Sequence, residues 1–273
     1  MSKVRVNEGY ELYQIITDFG DPLEIFREGI QNSFDEDATK MYIKVYEQRK
    51  ISGESLIIDI IDNGNGLLRD NIAAFFDVAN SSKITADFVP NGKHGYKGHG
   101  SKVFFNADEV HICSKTKNGD YWAVRMEKPI EQIAENHELF YSDFVKPSDL
   151  NISLPVDWTS GFCVRIIAPR YFGTQYTRFK LNHIYLRDYC MWYTIIGSIE
   201  TKYNDELKNK NIKLYLSGLL QDDFKNKYKN VFDCDPVPKF MNTELGEFEE
   251  ISFGHYFPEE RVTDTAMKKY AKK

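Results

Sequence analysis

Close-set cysteine pairs are missing from this 273-residue chain. Cys113, Cys163, Cys190 and Cys234 are widely spaced with no C-x-x-C pair, which argues against a zinc ribbon and a disulfide scaffold and leaves reduced packing residues. The six histidines show no H-x-x-x-H spacing, so a transition-metal site has little support. No apolar run reaches membrane-spanning length. The start, MSKVRVNEGYELYQI, lacks the apolar centre of a secretory signal, so the expected location is cytoplasmic, with no membrane partner. Surplus positive charge is missing too: the net charge is −6 and MKKYAKK is the only dense basic cluster, so nucleic acid is not indicated. Internal repeats and low-complexity tracts are absent.

What is present is the composition of a folded protein, 42% hydrophobic and 14% aromatic, long enough for one large or two modest domains. Asp21-Pro22 supplies an acidic N-cap candidate and a proline suited to the first helical position, so a helix is expected over LEIFREGIQNSFDED from Leu23. At about 100° per residue, Leu23, Phe26, Ile30 and Phe34 fall within roughly 80°, while Glu28, Asn32 and Asp35 cluster opposite within about 60°. Taken alone, that polar side reads as the solvated face of an amphipathic helix. Ser55 to Ile61 (SLIIDII) reads as a buried strand running into Asp62-Asn63-Gly64-Asn65-Gly66, which taken alone is a plain Asn-Gly turn. Gly95-Tyr96-Lys97-Gly98-His99-Gly100-Ser101-Lys102 is Gly-rich and opens another expected helix.

Together, the E-x-x-x-N-x-x-D helix, the D-x-G-x-G after a strand and the G-x-x-G-x-G before a helix resemble the nucleotide-binding motifs of the GHKL superfamily. That group contains DNA gyrase B subunits, ninety-kilodalton heat-shock chaperones, histidine kinases and MutL mismatch-repair ATPases. The resemblance implies an α+β fold, a two-layer α/β sandwich of the Bergerat type in which helices cover one face of a mixed, mostly antiparallel sheet. It implies an ATP-binding domain over 1–172. Residues 173–273 would then hold a connecting helix, a strand over 212–219 and the start of a transducer-like or middle domain.

Between these motifs, KMYIKVYEQ (40–48) alternates as a half-buried strand that Ser52-Gly53 turns into SLIIDII. NIAAFFDVAN (71–80) is helical in pattern. Residues 81–99 turn polar and carry Pro90 and Asn91-Gly92, reading either as a mobile cover over a ligand or as a surface loop; Ser81-Ser82-Lys83 resembles the start of the MutL lid. Strands are expected at 109–114, 121–126 and 161–167. The last occupies the place of the superfamily's G-T-x-V segment, with Phe162 at the threonine position and Thr159 and Ser160 near enough to substitute.

What the resemblance implies for chemistry is specific. Asp62 would accept the adenine amine, where guanine offers a carbonyl, in a charge-assisted bond worth about 1.5–3 kcal/mol. Gly64 and Gly66 would let the base approach the backbone. Asn32 would place its amide oxygen on Mg²⁺, a hard cation that prefers oxygen. Backbone amides from Gly98 to Lys102, with Gly95, His99, Gly100 and Ser101, would cradle phosphates, and Ser82, Lys83, Lys97 and Lys102 are candidate phosphate contacts. Glu28 would orient and deprotonate the attacking water, and Asp35 would fix the helix or a water nearby. A histidine kinase needs a phospho-accepting histidine on a preceding helix, and none occurs between Met1 and Pro22. The expected activity is Mg-dependent ATP hydrolysis with lid closure, homodimerisation on ATP and a protein client. The alternative from another class is a nucleotide-sensing interaction module that binds ATP or ADP with negligible hydrolysis.

Overall fold

The alternating stretch after the central helix folds as expected, and slightly further: β1 (Lys40–Lys50) pairs antiparallel with β2 (Gly53–Asp62), in a register that sets Met41 opposite Asp62. The computed structural model describes residues 8–50, 53–76, 100–136, 138–197, 212–219 and 248–252. The remaining described strands are β3 (Ala107–Lys115), β4 (Tyr121–Glu127), β5 (Gly161–Pro169), β6 (Lys213–Ser217) and β7 (Glu249–Ser252). They form one seven-stranded sheet in the order β4-β3-β5-β2-β1-β6-β7. Only β1 and β6 pair in parallel; every other pair is antiparallel.

Period-two alternation assigns each strand's residues to two faces. Met41, Ile43, Val45, Ile58, Ile60, Val110, Ile112, Val164 and Ile166 are buried on one face, in the main core. Against it pack α1 (Glu8–Thr17) and α2 (Glu24–Asp35), with Ile16, Ile25, Phe26 and Ile30 at 0–1% exposure. The short α3 (Ile72–Phe76) follows a 3-10 turn over Arg69–Asn71. Next come α4 (Pro129–Asn136), α5 (Gln175–Phe179) and α6 (His183–Tyr193), which adds Leu186 and Cys190 to the same core. The strand expected over 212–219 is β6, laid on β1 with Leu214 and Leu216 in that core.

The opposite face has a smaller cluster of Ile61, Cys113, Ala123, Cys163, Leu150 and Trp158. The last two belong to a strap over 145–158 that crosses beneath the sheet. Val145 N–H donates to Ala123 O at 3.0 Å, and Arg165 Nη1 donates to Leu150 O and Asn151 O at 3.3 and 3.1 Å. Arg165 also holds Asp59 from the adjacent strand through two bonds of 2.7 and 2.8 Å. Both charges are therefore buried and paired.

Two local expectations need correction. The central helix begins at Glu24 after Leu23 at its N-cap, and no side chain caps it there; Asp21 Oδ1 instead accepts the Leu23 N–H at 3.1 Å, so Asp21-Pro22 shapes the preceding turn. The segment opened by the glycines is a six-residue 3-10 helix, Gly100–Phe105, not an α-helix. Val103, Phe104 and Phe105 are all buried, and a tighter three-residue turn suits so short a piece.

Candidate nucleotide site

Asp62 ends β2 at 7% exposure, and three groups converge on its carboxylate. Oδ1 accepts the N–H of Gly64 at 2.8 Å and of Phe162 at 3.2 Å, while Oδ2 accepts the Ser33 hydroxyl at 3.1 Å. Ser33 also reaches Gly29 O at 2.9 Å, one turn back along α2. Burial pushes the Asp62 carboxyl up to about 6; the bonds from Gly64, Phe162 and Ser33 oppose the rise, and the charge of Glu36 adds to it. Asp62 is thus a buried carboxyl whose ionised form is held by three donors.

The turn after Asp62 is held closely. Asn65 N–H donates to Glu36 O at 3.1 Å, and Asn63 Oδ1 accepts the N–H groups of Thr39 and Lys40 at 2.9 and 2.8 Å. Gly66 has φ 71°, and a Cβ there would sit 2.3 Å from Lys115 O, so this position requires glycine on both counts. At its end Leu67 accepts the Trp122 indole N–H at 2.9 Å and exchanges bonds with the Ser114 hydroxyl.

Helix α2 faces two ways. Ser33 meets Asp62, and Glu28 lies against the glycine-opened turn, where a Cβ on Gly100 would fall 2.0 Å from Glu28 Oε2. Glu28 is ion-paired to Arg27 at 3.2 Å. Asn32 is half-buried between these points. Asp35, expected on the polar side with Glu28 and Asn32, is 7% exposed and takes a 3.0 Å bond from Gln31 Nε2, because this end of the helix is enclosed by the turn that β2 feeds.

Lys102 lies at 1% exposure, with its ammonium donating to Phe75 O at 2.5 Å, 3.3 Å from Ser101 Oγ and 5.9 Å from the Phe75 and Phe105 rings. Ser101 Oγ also approaches Phe75 O, at 3.4 Å. These bonds tie the end of α3 to the Gly100 turn. Ser82, Lys83, Gly95, Lys97, Gly98 and His99, and the lid expected over 81–99, lie outside the described residues.

Phe162, at the superfamily's threonine position, gives its backbone N–H to Asp62 and sets its ring 5.2 Å from that of Phe75. Ser160 Oγ donates to Gly64 O at 3.0 Å and leaves the carboxylate untouched. Sequence reasoning passed over Ser33, Ser114 and Trp158. Ser33 falls on neither face of the helical projection as drawn, and the other two carry no motif. The only available signal was buried polar type beside a motif.

A cleft of about 750 Å³ opens at the other end of the strands, between the start of β2 and the end of β5. It holds none of the motif residues, and Arg170 there is paired with Asp108 at 3.2 Å and Glu131 at 2.6 Å. Among the described residues no helix is long and apolar enough to cross a membrane. A search of curated proteins found no match. Residues 24–146, which hold all three motifs, match the family model described as histidine kinase-, DNA gyrase B-, and HSP90-like ATPase. With its mixed sheet, its helices on one face and one helix joining the strand-end aspartate to the glycine turn, the stretch over 24–146 is a domain of the GHKL ATPase type.

Proposed function

We propose that the domain binds and hydrolyses ATP, with Asp62 reading the adenine amine and Glu28 activating the attacking water. One observation carries this reading: α2 touches Asp62 at the end of β2 through Ser33 and the Gly100 turn through Glu28, so the helix that carries the water-activating group spans from the base-reading carboxylate to the glycine turn. The buried carboxylate accepts a donor amine and rejects the carbonyl that guanine presents there. Backbone N–H groups at the Gly100 turn would receive the phosphates.

Asn32 offers an amide oxygen, the donor type that magnesium takes. Magnesium keeps several waters and bridges phosphate oxygens, so one protein oxygen beside the triphosphate is enough to place it. Bound there, magnesium would neutralise developing phosphate charge.

Closure of the 81–99 segment over ATP and pairing of two such domains follow in this scheme from γ-phosphate contacts that exist only in the closed state. A protein client would be engaged through that change. Isothermal titration with ATP and a non-hydrolysable analogue, combined with a phosphate-release assay, tests the chemistry. Glu28→Ala should bind ATP and release no phosphate, whereas Asp62→Ala should not bind. Turnover by Glu28→Ala equal to wild type removes Glu28 from the mechanism, and wild-type binding without any release identifies a nucleotide sensor instead. Light scattering with the analogue, showing one chain per particle throughout, would remove the pairing.

A further inference from the structure

Segment 158–162, Trp-Thr-Ser-Gly-Phe, makes four separate approaches to residues 62–64, and only the one through Phe162 N–H reaches the Asp62 carboxylate itself. Trp158 Nε1 donates to the backbone carbonyl of Asp62 at 2.6 Å, from a residue 96 positions away that is 8% exposed. Ser160 holds Gly64 O, and Gly161 has φ 136° with its absent Cβ only 1.9 Å from that same Asp62 carbonyl. The Asp62 main chain is therefore seated on the strap from the far side of the sheet.

Trp158 is itself well anchored. Its backbone N–H donates to Pro155 O at 3.0 Å, its ring lies 6.1 Å from that of Tyr121, and the strap behind it is held by Leu150 in the small core and by Arg165. A second indole, Trp122, makes an equivalent bond to Leu67 O at the other end of the turn. The two differ in what they hold: Trp122 supports a residue with no reading role, whereas Trp158 supports the one whose side chain meets the base.

We infer that Trp158 is a positioning residue for purine recognition, acting through the Asp62 main chain to hold the carboxylate where the adenine amine arrives. This rests on the reading of Asp62 given above. With the indole N–H gone, the Asp62 carbonyl loses that donor and the end of β2 is held less firmly against the strap, which lets the acceptor drift from the amine while Glu28 on α2 keeps its place. The consequence is a loss in adenine binding and not in the rate of hydrolysis once ATP is bound.

The test compares Trp158→Phe with Trp122→Phe in the full chain, measuring KM and kcat for ATP, affinity for ATP and GTP, and thermal stability. Loss of one neutral hydrogen bond predicts that Trp158→Phe raises KM by about three- to tenfold, keeps kcat, and lowers ATP-over-GTP preference by a similar factor. Trp122→Phe should lower stability comparably and keep that preference. Equal loss of preference in both variants, or none in Trp158→Phe, overturns the assignment. Asp62→Asn is run in parallel: wild-type ATP affinity in that variant defeats the reading of Asp62 itself, whereas its loss beside an unaffected Trp158→Phe defeats only the role of Trp158. Should Trp158→Phe fail to fold, adenosine is titrated into wild-type protein and the indole N–H resonances followed by NMR, assigned with Trp122→Phe and Trp192→Phe. The Trp158 signal should shift with saturation, and a stationary signal overturns the inference.

Discussion

Replacing Gly100 by alanine is the smallest change that should separate binding from hydrolysis. The added Cβ would stand 2.0 Å from Glu28 Oε2 and 2.9 Å from Cδ, whereas Cβ atoms essentially never come closer than 3.0 Å. Glu28 must therefore retreat by about 1 Å. Because the obstructed atoms are the far end of a flexible side chain, and Gly100 is outside the left-handed φ region, the backbone has no reason to move. Folding stability should stay within about 1 kcal/mol, since lost freedom in the unfolded chain offsets the cost of turning Glu28 aside. A displacement of that size in a water-activating group costs about 100-fold in kcat, equivalent to about 2.7 kcal/mol. Steady-state phosphate release supplies kcat, titration with a non-hydrolysable analogue supplies affinity, and a thermal melt checks the fold. The double variant Gly100→Ala with Glu28→Ala should be no slower than Glu28→Ala alone, because both changes remove one interaction. Wild-type turnover in Gly100→Ala, or a further loss in the double variant, would refute the contact as the source of the effect.

Adenosine affinity should fall as pH drops below about 6, approaching tenfold per pH unit, because protonation removes the acceptor charge at Asp62. Calorimetry in buffers of different ionisation enthalpy should show proton release on binding near pH 6, and adenosine avoids the titration of phosphates. The same raised carboxyl acts oppositely on the free fold: its stabilising contribution is complete below the unfolded value near 3.8 and is lost as pH rises through about 6, so apo stability tracked by denaturant midpoint should decline across that window apart from other groups. Gly161→Ala should lose both nucleotide binding and about 2 kcal/mol or more of stability by denaturant melt, since φ 136° and the Asp62 carbonyl at 1.9 Å leave a side chain nowhere to go. Asp59→Asn strands the Arg165 charge at 7% exposure and should cost about 3–5 kcal/mol by the same measurement, most of it regained in Asp59→Leu with Arg165→Met.

The strands were legible because alternation is local: β1 through β5 begin and end within about two residues of the expected bounds in most cases, since period-two burial is written into each segment. The polar side of α2 was legible for the same reason. Its neighbours were not. A helical projection places Asp35 beside Glu28 and Asn32, yet the turn after β2 encloses Asp35 and leaves Asn32 half-buried. Lys102, read from charge and position as a phosphate contact, is directed at the Phe75 carbonyl, because its residue lies on the inward side of a 3-10 turn packed among phenylalanines.

By itself the sequence determined three motifs in their order, the hairpin that delivers Asp62 to the end of a strand, and the composition of a folded α+β domain. Only the tertiary structure decided that Ser33 meets Asp62, that Gly100 leaves room for Glu28, and that Trp158 supports Asp62 from 96 residues away. The physical reason is range: periodicity and turn chemistry act over a few neighbouring residues, whereas a hydrogen bond between a strap and a strand end depends on how every intervening segment packs.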